Sequence, residues 1–360
     1  MALVLRLLLI LVVIEGTASW IGFGVALPAA RPPERERLHM QYDPELGWIH
    51  VPGTRLEDYY GPGRDLTINA QGFRGLRNYT PQTPEGRLRA ICVGDQFTLG
   101  DGVGDQDTWC AQLESIDPRV ESINLGQGGY GVDQSYLLYE RDGTVFDADL
   151  LVFAFVRADF VRMESDTFER YPKPRLQLEG DGDLRVRNVP VPRRGERMPW
   201  LLRNAGLFEQ LRIVQLAGPA LDAFGSSRAS KLTVGELSDL AGGVFEALQR
   251  LSDQKGASLV LLYLPTRADY DEPGDLWRRR VAREARRRGI AYVDLVEEHK
   301  RLSRPEMLEL YAPTAIAARS DPETTPFSEA GNAWVAEALW RRLLMMPELA
   351  VRLDLAAPPS

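Results

Sequence analysis

Apolar residues recur along this chain in two rhythms. Short, nearly continuous apolar runs occupy Arg89–Val93, Val120–Leu125, Leu150–Val156, Ser258–Leu264 and Ala291–Leu295. Their length suits strands buried on both faces. Between and after them lie stretches with helical spacing: Thr108–Ile116, Val132–Glu140, Leu232–Ser252, Asp275–Arg288 and Gly331–Leu344. Strand and helix alternating in this way predict a parallel sheet covered by helices on both sides. The alternation breaks in two places. From Tyr42 to Thr80, β-like pieces are separated by Gly and Pro, which predicts an irregular, strand-rich arm. Arg175–Val191 alternates around a Gly-Asp-Gly turn and predicts a β-hairpin, with a helix over Trp200–Phe224. These two form an insertion over about 161–230, at the carboxyl edge of the sheet where binding loops lie.

The predicted organisation is a targeting segment (1–28), a linker (29–41), the arm (42–88), the main domain (89–346) and a tail (347–360). Arg6 precedes the apolar run Leu7–Ile14, and Gly16-Thr17-Ala18 suits signal-peptidase cleavage. Trp20–Leu27 is apolar again, so Ala2–Leu27 is also long enough to span a bilayer as one helix. Either way the expectation is export, with the body periplasmic or secreted after cleavage, or anchored and extracytoplasmic.

Composition narrows the chemistry. A net charge of −8 argues against non-specific binding to nucleic acid. Cys92 and Cys110 are expected to be two buried thiols at a strand–helix contact, with a single bridge as the alternative. His39, His50 and His299 are far apart in sequence and lack zinc-site spacing, so neither metal nor cofactor is expected. His299 lies in an amphipathic segment and reads as exposed. Asp95, Asp101, Asp105 and Asp107 read as a solvated acidic loop. The run Arg278–Arg280, Arg283 and Arg286–Arg288 reads as a solvated helix face, the sharper alternative being contact with anionic glycan or lipid headgroups.

The chemistry centres on Ile91–Asp107, where a strand runs into Gly94-Asp95-Gln96 and a Gly-rich loop. Strand, tight turn and helix are how α/β enzymes present a nucleophile. Here the apex residue is Gln96, whose amide is no nucleophile. Four ordered blocks share this character: Gly94-Asp95-Gln96; Asn124-Leu125-Gly126-Gln127-Gly128-Gly129; Val156-Arg157-Ala158-Asp159; and Glu323-Thr324-Thr325-Pro326 before Phe327-Ser328. An upstream arm carries Gly47-Trp48, Pro52-Gly53 and Asn69-Ala70-Gln71-Gly72-Phe73-Arg74-Gly75.

Over Asp43–Leu344 this pattern resembles the SGNH (GDSL-type) hydrolase superfamily, particularly exported bacterial members. The resemblance implies a flavodoxin-like three-layer α/β/α sandwich and ester hydrolysis by a serine. It also implies that Gln96, Ala158, Glu323 and Pro326 stand where the family has Ser, Asn, Asp and His, while Gly129 keeps its oxyanion-binding place. Losing nucleophile and base removes both halves of such a mechanism. The expectation is a catalytically degenerate protein binding an acylated glycan or a partner in envelope or exopolysaccharide machinery. Asp95, Gln96, Gly129, Asp159 and Glu323 would line its cleft. The alternatives are an active carbohydrate esterase or O-acyltransferase with rebuilt residues, and a membrane-tethered scaffold whose old cleft is filled.

Overall fold

The five apolar runs pair into one parallel sheet. Its strands are β5 (Leu88–Val93), β6 (Val120–Asn124), β7 (Leu150–Phe155), β12 (Ser258–Tyr263) and β13 (Ala291–Asp294), side by side in the order β6-β5-β7-β12-β13. Taken in chain order this is 2-1-3-4-5, the flavodoxin-like arrangement. The computed structural model describes residues 6, 9–10, 12–17, 20, 37–169, 171–180, 182–193, 232–272, 276–312 and 322–352.

Alternation along each strand divides the core. Ile91, Val93, Phe153, Phe155, Leu261 and Tyr263 face one way, against α3 (Val132–Asp142), α5 (Val234–Lys255) and α6 (Leu276–Arg288). Ala90, Cys92, Val152, Ala154, Val260 and Leu262 face the other, against α2 (Trp109–Ile116) and α9 (Glu329–Leu344). Both faces are buried, which is why the strands read as unbroken apolar runs. The result is the three-layer α/β/α sandwich.

The arm is two small antiparallel ladders, β1 (Met40–Asp43) with β2 (Gly47–His50) and β3 (Arg55–Leu56) with β4 (Leu66–Thr67). It then lies along edge strand β6, with a single bridge between Arg74 and Asn124. The predicted hairpin is β10 (Arg175–Leu178) with β11 (Leu184–Arg187). Just before it, Lys173 Nζ meets Asp133 Oδ2 at 2.7 Å with both side chains fully buried, pinning the insertion to α3. The linker residues 29–36, the helix anticipated over 200–224 and the tail residues 353–360 lie outside the described residues. The described residues within 1–28 are helical, and among the described residues no helix is long and apolar enough to cross a membrane.

Three expectations are corrected. Cys92 and Cys110 form a disulfide with Cα atoms 6.2 Å apart, because β5 and α2 pack face to face there. His299 is buried, not exposed. Its helix α7 (Val296–His299) is one turn long, and the ring is boxed by Tyr270, Tyr311 and Trp334, with Nε2 2.9 Å from Tyr311 Oη. The acidic loop is not solvated. Asp95 and Asp101 are buried, and Asp95, Asp101 and Asp105 pair with Arg162, Arg37 and Arg74, which reach them from other parts of the chain.

Candidate functional site

Strand β5 ends at Val93, and Asp95 then caps the one-turn helix α1 (Gln96–Leu99), its Oδ1 accepting the Phe97 N–H at 2.9 Å. A polar residue at this junction spares a buried helix N-terminus an unsatisfied donor. The following loop presses directly on α1. A Cβ on Gly126 would lie 2.1 Å from the Leu99 nitrogen, so only glycine fits. Asn124 Nδ2 donates to the Thr98 carbonyl at 2.8 Å, and the Gln127 N–H donates to the Gly94 carbonyl at 3.0 Å. At Gly129 the backbone turns left-handed (φ 76°), a conformation that glycine adopts at no steric cost.

The turn aims the Gly129 N–H at Gln96. The Gln96 side-chain oxygen accepts from it at 3.2 Å, and Gln96 is only 6% exposed. The donor expected to hold a substrate oxyanion is therefore taken by the chain's own amide.

Asp95 and Asp159 meet beneath this contact. Asp159 lies in α4 (Arg157–Arg162), where its Oδ2 accepts the Val156 N–H at 2.9 Å. Arg162 Nη1 bridges Asp95 Oδ2 at 3.1 Å, Asp159 Oδ1 at 2.6 Å and the Tyr130 carbonyl at 2.8 Å. Burial raises the pKa of Asp95, against the pull of Arg162. Asp159 is raised further, by burial and by the charge of Asp95 beside it. A cation between two buried carboxyls is what keeps such a pair tolerable in the interior.

The last block arrives from before α9. Pro326 is buried against the loop that follows α1, where its Cγ would lie 3.7 Å from a Cβ on Gly102. Phe327 packs edge-on to Phe97 with ring centres 5.0 Å apart. Glu323 pairs with Arg157, which also pairs with Glu272. Ala158, beside that arginine, is half-buried and packs on the apolar cluster. The sheet's carboxyl end thus gathers Asp95, Gln96, Gly129, Ala158, Asp159, Glu323 and Pro326, as the order of the blocks implies. Asp95, Gln96 and Asp159 are buried there and occupied with each other, with Gly129 or with Arg162.

Three candidate substitutes, two hydroxyls and an imidazole, are buried or engaged locally. Thr98 is fully buried in α1. Ser328 caps α9, and its Oγ donates to the Glu309 carbonyl at 2.6 Å. His299 is held down to a pKa of about 4, mainly by burial. Among the described residues no group of three or more His, Cys, Asp or Glu is arranged to hold a metal.

Sequence reasoning missed Arg162, Arg37 and Arg74. Only Arg162 left a signal, three residues after Asp159 on one helix face. It also missed the arm's approach from behind the Gly129 loop. Trp48 Nε1 donates to the Gly128 carbonyl at 2.9 Å, and His50 Nδ1 lies 3.2 Å from Gln127 Nε2. His39 and His50, remote from any pairing motif, lie tilted against each other with ring centres 5.5 Å apart. Burial and the neighbouring His39 hold the pKa of His50 well below the ordinary range. A cavity of about 170 Å³ opens between arm and edge strand, lined by Arg74, Arg77, Asp105, Glu114 and Asn124 among others; Gln96, Gly129, Ala158, Asp159, Glu323 and Pro326 do not line it.

No protein-family model matches the sequence, and no curated protein is similar to it. Solved structures similar to the chain include a lipolytic protein of the G-D-S-L family from Desulfitobacterium hafniense (13% identity, TM-score 0.37, covering 71% of this chain and 100% of that one). An acetyl xylan esterase is similar at 12% identity and TM-score 0.38, over 71% of this chain and 98% of its own. A two-domain esterase active on acetylated mannans is similar at 11% identity and TM-score 0.39, over 78% of this chain and 52% of its own. Strand order and the helix layers on both faces give the chain a flavodoxin-like three-layer α/β/α fold.

Proposed function

We propose that this chain is a non-hydrolytic protein of SGNH-type architecture, exported, and serving as a binding or scaffold component of envelope or exopolysaccharide machinery. The observation that carries the reading is the Gln96–Gly129 hydrogen bond. It supports the reading because the amide of Gln96 is no nucleophile and already engages the Gly129 N–H, and acyl transfer requires both a nucleophile and a free oxyanion donor. Pro326 at the base position and the walled-in His299 support the same reading. The disulfide supports an oxidising compartment, where such bonds persist. The glycan or partner reached through this surface is part of the proposal, drawn from the resemblance of the four blocks.

The test is hydrolysis of a short-chain aryl acetate by the native protein and by a Gln96→Ser, Ala158→Asn, Pro326→His variant. The native protein is expected to be inert. Turnover appearing in the variant would locate the filled cleft and strengthen the proposal. Native turnover that survives Gln96→Ala would sink it, since the activity would then come from a nucleophile elsewhere.

A further inference from the structure

Helix α6 carries seven arginines among its thirteen residues. Several are committed. Arg278 pairs with Asp294 at 2.7 Å and with Glu297 at 2.9 Å, while Arg287 and Arg288 pair with Glu284 in their own helix. Arg279, Arg283 and Arg286 are exposed and make no ion pair or hydrogen bond among the described residues. At about 100° per residue the three fall within roughly 60° of one another, and they span about 10 Å along the axis. The buried face of Trp277, Val281 and Ala285 lies on the opposite side. The outcome is a narrow cationic line, unneutralised among the described residues, on a body whose net charge is −8.

We propose that this line is a docking track for a linear, carboxylate-bearing polysaccharide. Three guanidinium groups without counter-charges among the described residues repel one another, and a row of carboxylates would relieve that while meeting each planar fork in its preferred geometry. The shape of the charge decides between polyanions. Neighbouring helix α5 exposes Glu236, Asp239 and Glu246, so a flat anionic bilayer reaching the arginines would also meet these acids. A single extended polymer need meet only the line. Preferring a polysaccharide to a nucleic acid rests on the proposed location outside the cytoplasm, which the Cys92–Cys110 disulfide supports. At its start the helix also touches the site region, where Trp277 stacks on Phe160 of α4 with ring centres 4.6 Å apart. A polymer following the arginines would run toward that end of the sheet.

The experiment is affinity electrophoresis of the full chain, in non-ionic detergent, through gels containing polygalacturonate. Neutral dextran, single-stranded DNA and phosphatidylglycerol vesicles serve as comparisons. Polygalacturonate is expected to retard the native chain, dextran is not, and high salt should remove the effect. In an Arg279→Gln, Arg283→Gln, Arg286→Gln variant with unchanged melting temperature, the apparent affinity should fall about tenfold or more. Retardation that is absent, or equal in the variant, overturns the proposal. So does stronger arginine-dependent binding to DNA or to the vesicles. None of these outcomes bears on aryl acetate hydrolysis, so this inference and the non-hydrolytic reading fail separately.

Discussion

Gln96 acts on Gly129 as a tethered ligand. An intramolecular group is present at an effective concentration in the millimolar range or above, so an external acyl oxygen competes for that N–H at a disadvantage. Arg162 bears a comparable weight beneath it. Replacing it with methionine leaves Asp95 and Asp159 buried without their cation, which should cost about 3–5 kcal/mol of unfolding free energy. The pH dependence has a definite sign. Both carboxyls have folded pKa values above those of the unfolded chain, so their contribution is complete below the unfolded value and lost as pH rises through the folded ones. Without Arg162 those folded values rise further, so Arg162→Met should lose more stability at pH 8 than at pH 5 in urea unfolding. Adding Asp159→Asn should restore part of it. Equal losses at the two pH values would show that the arginine does not hold these carboxyls.

At the scale of elements, the disulfide fastens strand β5, next to the edge of the sheet, to α2 across 18 residues that contain α1. Closing a loop of that size in the unfolded chain is worth about 3 kcal/mol. A Cys92→Ala, Cys110→Ala variant should unfold at correspondingly lower urea, and the oxidised protein should shift likewise when reduced under denaturing conditions. No shift in either case would mean that packing alone fixes α2. Strands and long helices were legible in the sequence because each is a local pattern read against a buried sheet. Gln96, Gly129, Ala158, Asp159, Glu323 and Pro326 were legible as a group because chain order in this fold dictates which loops meet. Partners were not legible. Arg37, Arg74 and Arg162 come from three separate elements to the acids of one loop, and no local period announces that. His299 misled for a related reason. Val296–Leu302 has amphipathic spacing, yet the helix is a single turn and aromatic residues from 270, 311 and 334 close over it.

Across the whole molecule, arm and sheet are tied as one body. Arg37 reaches Asp101, Trp48 holds the Gly128 carbonyl, and Tyr130 Oη donates to the Trp48 carbonyl at 2.5 Å. Arg74 meanwhile bridges Asn124 on β6, the outermost strand of its side. An outermost strand with free N–H and carbonyl groups is a template for another chain, and here the arm covers one end of it. A chain begun at Arg87 would keep all five strands of the sheet but uncover that end of β6. It is expected to aggregate through strand-to-strand pairing, seen as concentration-dependent growth in light scattering, while a chain begun at Arg37 stays monodisperse. On that expectation the arm guards the sheet against polymerisation as well as flanking the site.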